Sequence, residues 1–553
     1  MSRSARLLPL ATLVLVATVA DSRLPAQTAP QPARTTQASP RAPKPPKGPA
    51  GADAITDLGL RAHLGFIASD ALEGRKAPSR GLDAAAAYLV AQLTRLGLKP
   101  AGDAGSYLQA IALTRRTVRL DKTVLAVGSK TLAYGDDFLP GSAPGAVEAG
   151  VVYVGNGSVI KSRGVDPYKG VDVTGKIVVT HMGLPSGFAR GDLKGPQGED
   201  WALPEAAARA RGAVGVLYLP DYATLARWAD TRDARHSGGS VSVDAFTKDT
   251  RLLPSATLSA SGVGLLFSGQ KVGAQEAFQR ALRREPAEPF VLSGVTVRLD
   301  VPTTDEALTT NNVVAVLEGS DPALAGEYVA LGAHYDHLGT APRPDAAGDT
   351  IYNGADDDGS GTVGLLAIAE AFATTRPRPK RSLLFVWHTG EESGLWGSRY
   401  FTEHPTIPLD RVVAQLNIDM IGRGRPIGSP RASNPLALTE LDSVYVVGSK
   451  RLSTELGSLV ERVNAGYHGL RLDYTLDAPN DPANIYQRSD HYQYAKHGIP
   501  IAFFFTGVHE DYHGLDDEID EIDFPKLRRI SQTVYGIARE LATRRDRPKV
   551  DAR

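Results

Sequence analysis

Histidines and carboxylates recur at particular points in the second half of this 553-residue chain: His334 and Asp336, Asp356 to Asp358, Glu391 and Glu392, Asp419, and His513. Each set ends or follows a near-continuous apolar run: EYVALGAH (327–334), RSLLFVWHTG (381–390), VVAQLNIDMIG (412–422) and IPIAFFFTG (499–507). Such runs suit strands buried on both faces of a mostly parallel sheet. In open α/β sheets, ligands gather beyond the carboxyl ends of the strands. Five segments thus deliver metal-type side chains to one edge, which a merely solvated charged face would not require. Converging carboxylates repel one another unless cations neutralise them. Two divalent ions do so when one carboxylate bridges them. The chain has no cysteine, so any ligands are His, Asp and Glu, a set that suits zinc and also admits cobalt or manganese. Two metals about 3.5–4 Å apart can activate a water and polarise a carbonyl. That is the chemistry of peptide hydrolysis, and it needs one carboxylate free of metal to take the water's proton.

These groups need a scaffold. SVYVVGS (443–449) supplies a further strand, and TVGLLAIAEAFA (362–373) and KLRRISQTVYGIARELA (526–542) read as helices between strands. An α/β three-layer sandwich with a mostly parallel central sheet is the architecture expected for residues 286–545, with 546–553 as a tail. Residues 52–115 form an N-terminal part of that domain. Within it, an amphipathic helix over 80–98 carries Leu82, Ala86, Leu89, Val90, Leu93 and Leu96 at helical spacing, with Gly97 at its C-cap. Residues 116–285 differ in texture. Short β-rich runs, VVYVGNG (151–157), GKIVVTHMG (175–183) and GAVGVLYLP (212–220), alternate with glycine-rich turns around one helix, PEAAARARG (204–212). This segment is expected to be an inserted accessory domain. Its His181 and His236 have no acidic neighbours at ligand spacing and read as structural.

The start of the chain carries a different signal. Arg3 and Arg6 precede an uncharged apolar run from Leu7 to Ala20, with small residues at Ala20 and Ala26. Residues 1–26 therefore read as a secretion signal. The run is shorter than the roughly 20 residues of a membrane span, so no stable membrane insertion is expected. Residues 27–51 are Pro-, Ala-, Lys- and Thr-rich and read as a disordered linker. The location implied is secreted or periplasmic. A formal net charge of −1 provides no global field for nucleic acid. Oligomeric state is not legible.

Taken together, GAHYDHLG (332–339), NGADDDGSG (353–361), HTGEESGLWGS (388–398), NIDMIGR (417–423) and DYHGLDDEID (511–520) resemble the co-catalytic di-zinc metallopeptidases, peptidase family twenty-eight of the metallo class. That family includes bacterial leucyl aminopeptidases, aminopeptidase Y and glutamate carboxypeptidase. DALEGR (70–75) and LGLKPAGD (96–103) resemble its N-terminal region, and 116–285 resembles its inserted protease-associated domain. The resemblance implies two Zn2+ per chain. His334 and Asp419 would bind one, Glu392 and His513 the other, and Asp357 would bridge them. Glu391 would be the general base acting on a metal-bridging water. Asp336 would orient His334 through its other ring nitrogen. Tyr512 would hydrogen-bond the tetrahedral intermediate, with a packing role as its alternative. The implied activity is a zinc-dependent exopeptidase acting on peptides, with aminopeptidase favoured.

Rival readings remain. Asp356, Asp358, Ser360 and Gly361 fit part of a calcium loop, but its twelfth position is Ala367, where a bidentate Glu belongs. His337 and His388 sit beside motif positions and read as structural, while Ser489 to His491 read as a pocket edge. A carboxypeptidase would need cations for the substrate's terminal carboxylate, for which Arg399, Arg423, Arg425 and Arg488 are candidates. A non-catalytic binding protein on the same fold, or a single-zinc glutaminyl cyclase, is a further alternative.

Overall fold

The computed structural model describes residues 48–189, 192–193, 197–237, 239–247, 252–479 and 481–551, and the side chains of 234–237 are left out of account. The expected signal segment and nearly all of the expected linker lie outside the described residues. Residues 46–553 form one compact unit. No described helix is long and apolar enough to cross a membrane.

Four of the expected apolar runs are the centre of a ten-stranded sheet: β1 (Tyr328–His334), β2 (Ser382–His388), β3 (Val412–Ile418) and β4 (Ile501–Phe505). They lie side by side in the order β2-β1-β3-β4, all parallel. The flanks run the other way. Thr303–Leu317 is antiparallel to β2, and Leu108–Val118 and then Ser240–Val243 extend that side. Ser443–Val447 is antiparallel to β4, with Arg471–Asp473 parallel to it. The sheet is therefore mixed, where a mostly parallel one was expected. An apolar run reports burial on both faces and is silent about the direction of the neighbouring strand.

Alternation along the strands explains that burial. Val313, Ala315 and Leu317 join a core shared with α1 (Gly361–Thr374) and α2 (Phe524–Thr543). Their neighbours Val314 and Val316 face the opposite way, into a cluster with Phe401 and Tyr494. All of α1 except Glu370 and Thr374 is buried, as expected of a helix that is apolar all round. In α2, the Asp523 side chain accepts the Lys526 backbone N–H at the N-terminus. The helix expected at 80–98 spans Arg80–Leu96. Ser79 caps its start, and Gly97 closes it at φ 70°.

A second, eight-stranded sheet is built from Val124–Val127, Lys130–Thr131, Phe138–Pro140, Gly145–Tyr153, Ile177–His181, Gly215–Leu219, Ser255–Leu258 and Phe290–Val301. The boundary expected at residue 285 falls short, because Phe290–Val301 pairs with Gly145–Tyr153 and Val124–Val127 in this sheet. Ser240–Val243, inside the expected accessory segment, pairs instead with the first sheet. Alternating β pattern is common to both sheets, so composition alone could not assign either strand.

Candidate metal centre

The carboxyl ends of the parallel strands bring the predicted side chains together. His334 is the last residue of β1, Asp357 lies in the loop before α1, Glu391 and Glu392 follow β2, Asp419 follows β3, and His513 follows β4. His334 Nε2 lies 3.3 Å from Asp357 Oδ1 and 3.7 Å from Asp419 Oδ1. His513 Nε2 lies 3.1 Å from Asp357 Oδ2 and 3.2 Å from Glu392 Oε2. Asp357 thus faces one imidazole with each oxygen.

These approaches test whether the site fits a cation. Tetrahedral ligands about 2.05 Å from one zinc ion lie roughly 3.3 Å apart, close to the separations found. His513 Nε2 has no hydrogen-bond partner despite two carboxylate oxygens beside it, an arrangement that suits a positive charge between them. The buried groups therefore fit metal binding. The electrostatics agree. Burial alone would lower the His513 imidazole, but Asp357 and Glu392 overcome it and push it up to about 10. Burial opposes the charge on Asp357, yet His334 and His513 hold its carboxyl well below the usual range.

Glu391 lines the same cavity as His334, Asp357, Glu392 and Asp419. Its carboxyl is pushed well above the usual range by burial, reinforced by Glu392, Asp419 and Asp490 and opposed by His334. Asp336 contacts His334 through its main chain. His334 Nδ1 donates to the backbone carbonyl of Asp336 at 3.1 Å, while the Asp336 carboxylate is 3.7 Å away. That carboxylate accepts the backbone N–H of Glu391 at 3.1 Å instead. Asp336 therefore fixes the imidazole with its main chain and the Glu391 loop with its side chain. Tyr512 lines the cavity, its ring stacked on His513 at 3.8 Å between centroids.

The calcium reading fails on the acids' partners. Asp358 accepts the backbone N–H groups of His334, Gly361 and Met420, and Asp356 accepts that of Gly422. These acids hold the backbone of the candidate metal centre. His388 reads as structural here too, beside Asp490 and Tyr494, as does His181 beside Tyr153. The side chain of His236 lies outside the described residues.

The sequence reading gives no supporting role to four residues, with Ser489 read as pocket edge and His337 as structural. Ser489 donates to Asp419 Oδ2 at 2.7 Å. Asp517 accepts the N–H groups of Asp356 and Asp357. Arg75, fully buried, donates to the carbonyls of Ile67, Tyr335, Asn353 and Gly354, which tie together the loops after β1 and before α1. His337 Nδ1 is 2.8 Å from Glu392 Oε1. Arg75 and Asp517 lie within runs that carry the resemblance, and that was the available signal.

Beside the acids, the cavity wall is apolar: Met420, Leu436, Ile485, Phe503, Phe505 and Val508. Of the four candidate arginines, only Arg488 lines it. Arg399 pairs with Glu403, Arg423 with Asp511, and Arg425 with Glu440.

The sequence profile of Peptidase family M28 matches residues 312–538. Leucine aminopeptidase 2 of Trichophyton equinum is 29% identical over 290 residues, 48% of this chain and 52% of the relative. A probable leucine aminopeptidase 2 of Aspergillus oryzae is 33% identical over 220 residues, 39% of this chain and 37% of the relative. The chain thus spans about half the length of the curated relatives it matches, or less. Among solved structures, an aminopeptidase from Aneurinibacillus sp. strain AM-1 superposes with a TM-score of 0.52 at 18% identity. The match covers 91% of this chain and 97% of that one, and it establishes likeness of fold.

Proposed function

We propose, with residues 312–538 as a Peptidase family M28 domain for premise, that this protein is a zinc-dependent aminopeptidase. The carrying observation is Asp357 set between two imidazoles, 3.3 Å from His334 and 3.1 Å from His513. In this reading His334, Asp357 and Asp419 would hold one ion, and Asp357, Glu392 and His513 would hold the second. Bound there, two zinc ions would polarise the scissile carbonyl and make water acidic enough to attack near neutral pH.

The chain's own residues supply the remainder. Glu391, on the cavity wall and raised in proton affinity, takes the attacking water's proton and returns it to the leaving amine. The backbone carbonyl of Asp336 keeps the proton of His334 on Nδ1, which leaves Nε2 for metal. Tyr512 donates its hydroxyl to the oxygen that becomes negative as the carbonyl is attacked. The apolar wall from Met420 to Val508 receives the side chain of the residue released, which favours leucine-like residues. The acids about the metals attract a terminal ammonium. Arg488, which lines the cavity, is the one of the four candidate arginines that could fork a terminal carboxylate, so the carboxypeptidase alternative rests on it.

Helices packed on both faces of the first sheet support the three-layer reading, and the second sheet supports an inserted protease-associated domain. Export to the periplasm or exterior rests on residues 1–26. One experiment tests the activity: zinc-loaded protein assayed on leucyl peptides with free, acetylated and C-terminally amidated ends. Free and amidated peptides should be cleaved at their first bond, and acetylated ones should not. Cleavage of acetylated peptides that depends on a free C-terminal carboxylate would make the enzyme a carboxypeptidase. A mature N-terminus between residues 21 and 30 in the same preparation supports export, and retention of Met1 contradicts it.

A further inference from the structure

The His337 ring is placed with unusual care for a residue that merely fills space. Its backbone N–H donates to the carbonyl of Arg75 at 3.2 Å. Its ring lies over Gly354, where a Cβ would come within 2.5 Å of Cδ2. Gly354 also takes φ 57°, a left-handed conformation that favours glycine. The imidazole is fully enclosed, edge-on to His513 at 5.8 Å between centroids.

Two distances separate His337 from the residues that face the metal positions. Its Nδ1 lies 2.8 Å from Glu392 Oε1, with hydrogen-bond geometry, and 4.0 Å from Asp357 Oδ2. Ligands sharing one zinc ion would lie about 3.3 Å apart, as the His513 and His334 approaches do. A carboxylate oxygen can only accept. At 2.8 Å, Nδ1 therefore carries the proton, and a protonated nitrogen has no lone pair for a metal. Glu392 is then divided between two tasks. Its Oε1 is held by His337, while its Oε2 faces His513 Nε2 at 3.2 Å.

We infer that His337 is the positioning residue for Glu392: its Nδ1–H locks the carboxylate so that Oε2 alone is presented to the second metal ion. This rests on the di-metal reading of the site above. Freed of that donor, Glu392 could rotate about its terminal bond and would lose both orientation and polarisation. Outer partners of metal ligands typically contribute 10–100-fold in affinity.

Zinc and cobalt(II) themselves are the probes, titrated against a competing chelator into the full chain carrying His337→Ala or His337→Asn. The account expects two ions per chain at saturating zinc in both variants. The weaker-binding ion should dissociate about 10–100-fold more readily in His337→Ala, with part recovered in His337→Asn, whose amide can still donate. The cobalt absorption spectrum should keep its shape, because the ligand set is unchanged. Unaltered affinity in both variants would overturn the inference. So would a single ion at saturating zinc with an altered cobalt spectrum, which would make His337 a ligand. Should neither variant fold, a crystal structure of the zinc-loaded wild-type chain decides. His337 Nδ1 must stay within hydrogen-bond reach of Glu392 and outside the 2.0–2.1 Å zinc–nitrogen range. A wild-type protein that binds two ions yet cleaves no peptide would sink the proposed function and leave this inference standing.

Discussion

Two histidines occupy equivalent places in the two sheets and have opposite fates. His334 ends β1, which lies between the parallel strands β2 and β3. His181 ends Ile177–His181, which lies between the parallel strands Gly145–Tyr153 and Gly215–Leu219. Both are fully buried. Around His334 stand Asp357, Asp419 and Asp336, and these carboxylates hold the imidazole well above its usual value despite burial. Against His181 stands Tyr153, whose hydroxyl lies 2.6 Å from Nε2, and burial lowers the imidazole to about 4. A buried strand-end histidine is therefore not a metal site in itself. Carboxylates arriving from neighbouring segments make it fit for one, and in the second sheet no described carboxylate comes within ion-pair distance of His181.

The sharpest way to break this comparison is to disturb what holds the acidic loops. Arg75→Met would leave the carbonyls of Ile67, Tyr335 and Asn353 without their donor, while that of Gly354 keeps the Gly359 N–H. Each unsatisfied group costs about 1–3 kcal/mol, so thermal or urea unfolding of the metal-free chain should show a loss of at least about 3 kcal/mol. Arg75→Lys should recover little, since an ammonium cannot reproduce the guanidinium fork. Wild-type stability in Arg75→Met would show that the loops after β1 and before α1 are held by other means.

A smaller effect is expected at His181, and its sign follows from the direction of the shift. The folded-state value lies near 4 and the unfolded value near 6.5. Between these values the unfolded chain binds the additional proton, so stability falls as pH drops through that window. His181→Phe removes the titrating group. Relative to this variant, the wild type should lose roughly 3 kcal/mol between pH 6.5 and 4, at 1.36 kcal/mol per unit. Zinc content at pH 7 should be the same in both. Parallel stability curves would show that His181 is not held neutral by burial, and loss of zinc would tie it to the metal centre.

Much of the candidate site was legible because its signal is local. An apolar run that ends in His, Glu or Asp states both the strand and where the side chain emerges. Long-range pairing has no such signature. The antiparallel flanks, the transfer of Ser240–Val243 to the first sheet and the membership of Phe290–Val301 in the second depend on partners far along the chain, 74 residues from Val313 to Trp387 and 124 from Arg116 to Ser240. Supporting residues were hidden for a related reason. Arg75 reaches the centre from 260 residues upstream of Tyr335. His337 sits one position from Asp336, and only coordinates reveal that it faces Glu392. For Asp336 the sequence named the residue beside the second ring nitrogen of His334, and the structure adds that the contacting atom is its backbone carbonyl.

The central claim is that adjacent acids divide binding from chemistry, and Glu391→Gln compared with Glu392→Gln tests it most directly. Metal content and steady-state kinetics would be measured on both proteins. The account predicts that Glu391→Gln retains two zinc ions per chain while its turnover falls by about 10²–10⁴, the usual contribution of a positioned general base. Glu392→Gln should bind its second ion weakly, and added zinc should restore part of its activity. A Glu391→Gln protein that loses an ion, beside a Glu392→Gln protein that keeps both, would contradict the assignment.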